Sequence, residues 1–365
     1  MKKLLAILLA LMMVLVSVSA LAADDDQKEK ATEPDIAKKI SNPGASEEAT
    51  FTLTKTYTLT GENAVNPSDV IKFTVGNPGF ENAGTAAPNP IPMISIVYPE
   101  GAEGYTVSQG AESAEITVKL PQYNVAGIYT YTISEVDTNV AGVTYLANPL
   151  NVKISVTNGT TAGTFVIAGI AVREGNNTTK TDKFENKYDS GTLEISKAVT
   201  GNMGDKAKVW DFTVTLTAPT GDTVNAPITI TGTYTSVKEN TTAVPATGIA
   251  AGWTGEKTLK VQLTDAQNIK FANLPAGVTY TVVEDAASTD PEKANADGYK
   301  TTTTFSDTNT TKAIAAGDAD TVAFVNNKQV DIDTGVTLDS TVYMLIMALA
   351  LAGFVVLKIR RREDY

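Results

Sequence analysis

A lysine, a glutamate and an asparagine recur twice in the same order along this chain, each on the face of an alternating segment to which apolar side chains point. In Phe51-Thr52-Leu53-Thr54-Lys55-Thr56-Tyr57-Thr58-Leu59 the period of two places Lys55 with Phe51, Leu53, Tyr57 and Leu59. Glu135 shares a face with Tyr129, Tyr131 and Ile133, and Asn186 lies beside Phe184 and Tyr188. In the second set Lys197 aligns with Leu193, Ile195 and Val199, Glu284 with Val278, Tyr280 and Val282, and Asn326 with Val322 and Phe324. The lysine-to-asparagine separations are 131 residues (186 − 55) and 129 residues (326 − 197).

Burial dictates what such a trio can do. Desolvation penalises the charged form, so a buried lysine tends to lose its proton and a buried glutamate to keep one. A neutral amine is a nucleophile, and a protonated carboxyl can hydrogen-bond and polarise an amide carbonyl. With the asparagine amide between them, the amine attacks the carbonyl, ammonia leaves, and an uncharged isopeptide bond remains. The catalytic carboxyls are Glu135 and Glu284; the residues joined are Lys55 to Asn186 and Lys197 to Asn326. The blander reading of each lysine alone is a side chain that snorkels to the domain rim and pairs there with its glutamate. Six alignments in two matching sets favour the cross-link.

Both sets lie in segments that resemble known surface proteins. The second half resembles the B-type immunoglobulin-like repeats of Gram-positive collagen adhesins and pilins, through Leu193-Glu194-Ile195-Ser196-Lys197-Ala198-Val199-Thr200-Gly201-Asn202, Trp210-Asp211-Phe212-Thr213-Val214 and Asn273-Leu274-Pro275-Ala276-Gly277-Val278-Thr279-Tyr280-Thr281-Val282-Val283-Glu284. The first half resembles the N-terminal domain of streptococcal-type shaft pilins, through Ile71-Lys72-Phe73-Thr74-Val75, Gly127-Ile128-Tyr129-Thr130-Tyr131-Thr132-Ile133-Ser134-Glu135 and Phe184-Glu185-Asn186. The resemblance implies that the lysine and asparagine of each set are joined autocatalytically with help from the acid.

The two ends carry export and anchoring signals. Met1-Lys2-Lys3, an apolar run from Leu4 to Val18 and Ala20-Leu21-Ala22 have the pattern of a cleaved leader over residues 1–22. Residues 336–365 hold an almost wholly apolar stretch from Val342 to Leu357 followed by Lys358-Ile359-Arg360-Arg361-Arg362, the pattern of a membrane span with a basic inner end. Ahead of it, within residues 329–335, Asp331-Ile332-Asp333-Thr334-Gly335 resembles the wall-sorting signal that sortases cut between threonine and glycine, with Asp333 where that pattern has proline. The resemblance makes Thr334 the acyl donor and Gly335 the first residue discarded. The same triplet occurs in aspartic proteases, but the chain has no second Asp-Thr-Gly.

Composition narrows the function class. There is no cysteine, so an exported chain must find its robustness outside disulfides. There is no histidine, which removes the commonest general base and metal ligand and disfavours turnover catalysis. A net charge of −12 disfavours nucleic acid as a partner. No cofactor or metal site is expected.

The elements that must position the trios read as strands: runs of Thr, Val, Tyr and Ile alternate with polar residues and break at turns such as Asn77-Pro78-Gly79. The spacing predicts an all-β chain of two sandwiches, and the resemblance implies that they are two tandem immunoglobulin-like β-sandwiches. Residues 23–49 form a flexible lead, 50–188 and 189–328 the two domains, and Asp189-Ser190-Gly191 a very short link. The function expected is a non-enzymatic shaft subunit of a covalently polymerised, wall-anchored surface pilus. Its partners are then a sortase, further pilin subunits and peptidoglycan, and the resemblance puts the acceptor lysine at Lys180, with Lys183 as the alternative. The competing class is a monomeric wall-anchored adhesin or pilus-base subunit that binds a host ligand; a secreted hydrolase ranks third.

Overall fold

The computed structural model describes residues 40–41, 49–82, 84–111, 113–245, 248–290, 292–306, 312–330 and 342–351. The leader, Thr334, Gly335 and the basic tail therefore lie outside the described residues. Among those described, no helix is long and apolar enough to cross a membrane. The described residues between 50 and 327 are strands, turns and loops, as the alternation predicts.

In the first half one sheet runs, in spatial order, Phe165–Glu174, Leu150–Asn158, Gly127–Val136, Asp69–Val75 and Tyr105–Val107. The other holds Lys183–Thr200, Thr50–Thr60, Ser113–Lys119 and Ser95–Val97. In the second half Thr229–Thr233, Asn268–Pro275, Lys183–Thr200 and Ala319–Asn327 form one layer, and Ser236–Glu239, Glu256–Leu263, Trp210–Thr217 and Thr279–Glu284 the other. Each half buries one core, centred on Tyr129, Tyr131 and Phe184 in the first and on Trp210, Phe212 and Phe271 in the second.

One element belongs to both halves. Asp189-Ser190-Gly191, expected as a link between domains, lies inside a single 18-residue strand, Lys183–Thr200. Its first part pairs in parallel with Thr50–Thr60 and its last part in parallel with Ala319–Asn327, so one nine-stranded sheet spans the molecule. The alternation changes phase at the join: Phe184, Asn186, Tyr188 and Ser190 are buried before it and Leu193, Ile195, Lys197 and Val199 after it, with Ser190 to Leu193 all buried between, while pairing partners on both sides keep the strand continuous.

Loops from the two halves lock around this strand. The side chain of Asn273, buried at the join, accepts from Val65 N–H at 3.2 Å and donates to the Pro227 carbonyl at 3.0 Å. Asp189 N–H donates to the Gly142 carbonyl, and Ala276 N–H to that of Asp189. Gly142 has a φ of 77°, and a Cβ there would meet the Asp189 carbonyl oxygen at 2.7 Å, so the close approach requires glycine. Ala141, from the first half, packs into the second core.

Candidate isopeptide sites

The two trios are built by one rule of register. Thr50–Thr60 and Lys183–Thr200 are parallel neighbours, with Phe184 opposite Lys55 and Asn186 opposite Tyr57. Lys55 and Asn186 are therefore diagonal neighbours on one inward face. In the second half Phe324 lies opposite Lys197 and Asn326 opposite Val199, the same offset of two. The acid comes from the other layer: Glu135 pairs with Phe73 on the adjacent strand, and Glu284 pairs with Phe212. The aromatic rings repeat as well, since Phe73 stacks at 4.7 Å on Phe184 and Phe212 at 5.0 Å on Phe324. The first pair is tilted and the second edge-on, both favoured aromatic geometries.

All six residues predicted from the alternation meet as two sites. Lys55 Nζ lies 3.0 Å from Glu135 Oε1 and 3.1 Å from Oε2, with both side chains at most 1 % exposed. Asn186 Nδ2 donates to Glu135 Oε1 at 2.9 Å. In the second site Lys197 Nζ lies 2.8 Å from Glu284 Oε2, and Asn326 Nδ2 donates to Glu284 Oε1 at 2.6 Å. Lys197 also sits 4.4 Å above the Trp210 ring. Neither lysine snorkels.

Electrostatics follow the burial. Desolvation lowers the Lys55 ammonium to about 8, against the opposing pull of Glu135. It lowers Lys197 to about 8 in the same way, against Glu284. Burial raises the Glu135 carboxyl, with Lys55 resisting. Both lysine shifts favour the neutral amine, the nucleophilic form, and the Glu135 shift favours the neutral acid beside Lys55.

One detail differs from expectation. The carboxyl was expected to face the amide carbonyl, yet in both sites the amide presents its nitrogen to the glutamate. In the first site the reason is local: Asn186 Oδ1 is taken by Leu146 N–H at 3.0 Å, which leaves the amide nitrogen to face the acid. Glu135 is thus placed to receive the amine proton and to protonate the departing nitrogen. Leu59 also differs: it was placed inward with Lys55 but is 43 % exposed, because Thr50–Thr60 runs on past the core.

Of the two lysines named as acceptors, Lys183 opens the long strand and is exposed, while Lys180 is half-buried in the preceding loop.

Residues 22–189 match the family model described as a Spy0128-like isopeptide containing domain. Residues 191–328 match a second family, described as a domain of unknown function (DUF7601). Over 324 residues, 84 % of this chain and 88 % of the relative, the sequence is 27 % identical to a curated protein of Streptococcus pyogenes serotype M1 called pilin. Among solved structures the major pilin of Streptococcus pyogenes is similar at 22 % identity, over 77 % of this chain and 99 % of that one, with a TM-score of 0.46. A pilus-presented adhesin, Spy0125, is similar at 20 % identity over 50 % of this chain and 39 % of its own, with a TM-score of 0.25. The segment that matches the Spy0128-like model contains Lys55, Glu135 and Asn186, and the DUF7601 match contains Lys197, Glu284 and Asn326.

Proposed function

We propose that this chain is the structural shaft subunit of a covalently polymerised surface pilus, and that each of its domains is closed by an autocatalytic lysine–asparagine isopeptide bond. The observation that carries the reading is the repetition of one buried Lys–Glu–Asn geometry on the first and last strands of both domains. The curated pilin relative and the Spy0128-like domain support it. Each glutamate acts once, as a proton carrier within its own chain, and the product is a load-bearing bond.

Intact-mass spectrometry of a recombinant 23–334 fragment is expected to find the chain lighter than its calculated mass by two ammonia molecules, about 17 Da each. Glu135→Ala and Glu284→Ala should each restore one. A fragment at full calculated mass rules out both cross-links.

Assembly needs an intermolecular bond as well. The reading is that a sortase cleaves between Thr334 and Gly335, that the acyl group at Thr334 passes to Lys183 or Lys180 of the next subunit, and that the last transfer is to peptidoglycan. Exposure favours Lys183, although the resemblance puts Lys180 first. Wall extracts on a denaturing gel should give a ladder of multimers that collapses to monomer in Thr334→Ala and in the acceptor variant, Lys183→Ala or Lys180→Ala. A monomer band alone in the unaltered strain points to the adhesin class.

A further inference from the structure

The carbonyl oxygen of Asn186 is where negative charge gathers when an amine adds to that amide. It accepts from Leu146 N–H at 3.0 Å, a backbone donor already aimed at it. The residue before Leu146, half-buried Tyr145, is tied down by its hydroxyl. Its hydroxyl donates to Asp69 Oδ2 at 3.0 Å and lies 2.7 Å from Thr138 Oγ1, which itself donates to Asp69 Oδ1 at 2.8 Å. Asp69 is 3 % exposed, a buried carboxylate that the trio itself does not use.

We propose that Leu146 N–H is the oxyanion donor of the first site, and that Asp69, Thr138 and Tyr145 are positioning residues that hold it on Asn186. This rests on the cross-linking reading above. In the step, Lys55 Nζ forms a bond to Asn186 Cγ, and the carbonyl electron pair moves onto Oδ1, where Leu146 N–H stabilises it. Glu135, starting protonated, gives its proton to Nδ2, and the Cγ–Nδ2 bond breaks to release ammonia as the carbonyl re-forms. The proton shed by the attacking nitrogen returns to Glu135, which ends as it began. Asn326 Oδ1, by contrast, is buried without a hydrogen-bond partner among the described residues. The second site therefore serves as an internal control in the same molecule.

The test is cell-free synthesis of residues 23–334 with leucic acid at position 146, which turns that amide into an ester and removes only the N–H. Cross-linked peptides from each domain are followed over time by mass spectrometry. The first bond should form about 10²- to 10³-fold more slowly, the range measured when one oxyanion donor is removed, while the second keeps its rate. The pH profile of the first bond should stay centred where it was, because Lys55 and Glu135 are untouched; loosened packing would hydrate the pair and move that midpoint toward the ordinary lysine range. Tyr145→Phe should slow the first bond alone, and it decides the matter if the ester chain does not fold. Unchanged first-bond rates in the ester chain, or in Tyr145→Phe when the ester chain is unfolded, overturn the proposal. Absence of both bonds from the unaltered chain overturns the cross-linking reading instead, and with it the proposal.

Discussion

Pulled from its two ends, the two-domain fragment is expected to give no unfolding extension beyond the few residues outside its cross-links. Force entering at Thr50–Thr60 crosses from Lys55 to Asn186, runs along Lys183–Thr200, and crosses again from Lys197 to Asn326. Only 10 residues (187–196) lie between the two bonds, and they belong to one strand. A strand already rises about 3.3 Å per residue, close to the limit of a stretched chain, so that segment has almost nothing to give. The remaining strands of each domain stand outside the load path. Lys197→Ala reopens the second domain, and its 129 residues (326 − 197) should then release as one step. At up to ~3.5 Å per residue the step approaches about 450 Å, less the folded separation of its ends. Single-molecule force spectroscopy measures it directly. A full-length step in the unmodified fragment would falsify the cross-links.

Thermal stability should fall steeply, and in a set order, when the second site is dismantled. Asn326→Ala removes the bond but leaves Lys197 and Glu284 paired at 2.8 Å. Closing a loop of 129 residues is worth about 5 kcal/mol in the chain-entropy treatment used for disulfides. For a domain of this size that is a drop in Tm of roughly 15 °C or more. Glu284→Ala prevents the bond and also leaves Lys197 buried beside aromatic rings without its carboxylate, which adds roughly 3–5 kcal/mol. The expected ranking by calorimetry is unmodified chain, then Asn326→Ala, then Glu284→Ala, with the first domain's transition little changed by either. Equal melting of Asn326→Ala and the unmodified chain overturns the assignment of the second site.

Much of this was legible before any coordinates. Alternation with a period of two states which side chains share a face, and burial states what a lysine, a carboxyl and an amide do when no water reaches them. Those two facts located all six residues of the trios and the all-β class. Resemblance added the pilin reading, which composition alone does not contain.

Three things depended on the tertiary structure. The period of two is blind to where a strand leaves the core, so Leu59 was misplaced and the join at Asp189-Ser190-Gly191 was taken for a link when pairing partners on both sides continue it as a strand. Which layer stands opposite which is also absent from a face pattern, and only the packed sandwich brings Glu135 and Glu284 across to strands 80 and 87 residues distant. Last, the orientation of the Asn186 amide is set by the N–H of Leu146. Every residue but proline carries that donor, so no side-chain identity marks it, and only the fold decides which N–H meets which oxygen.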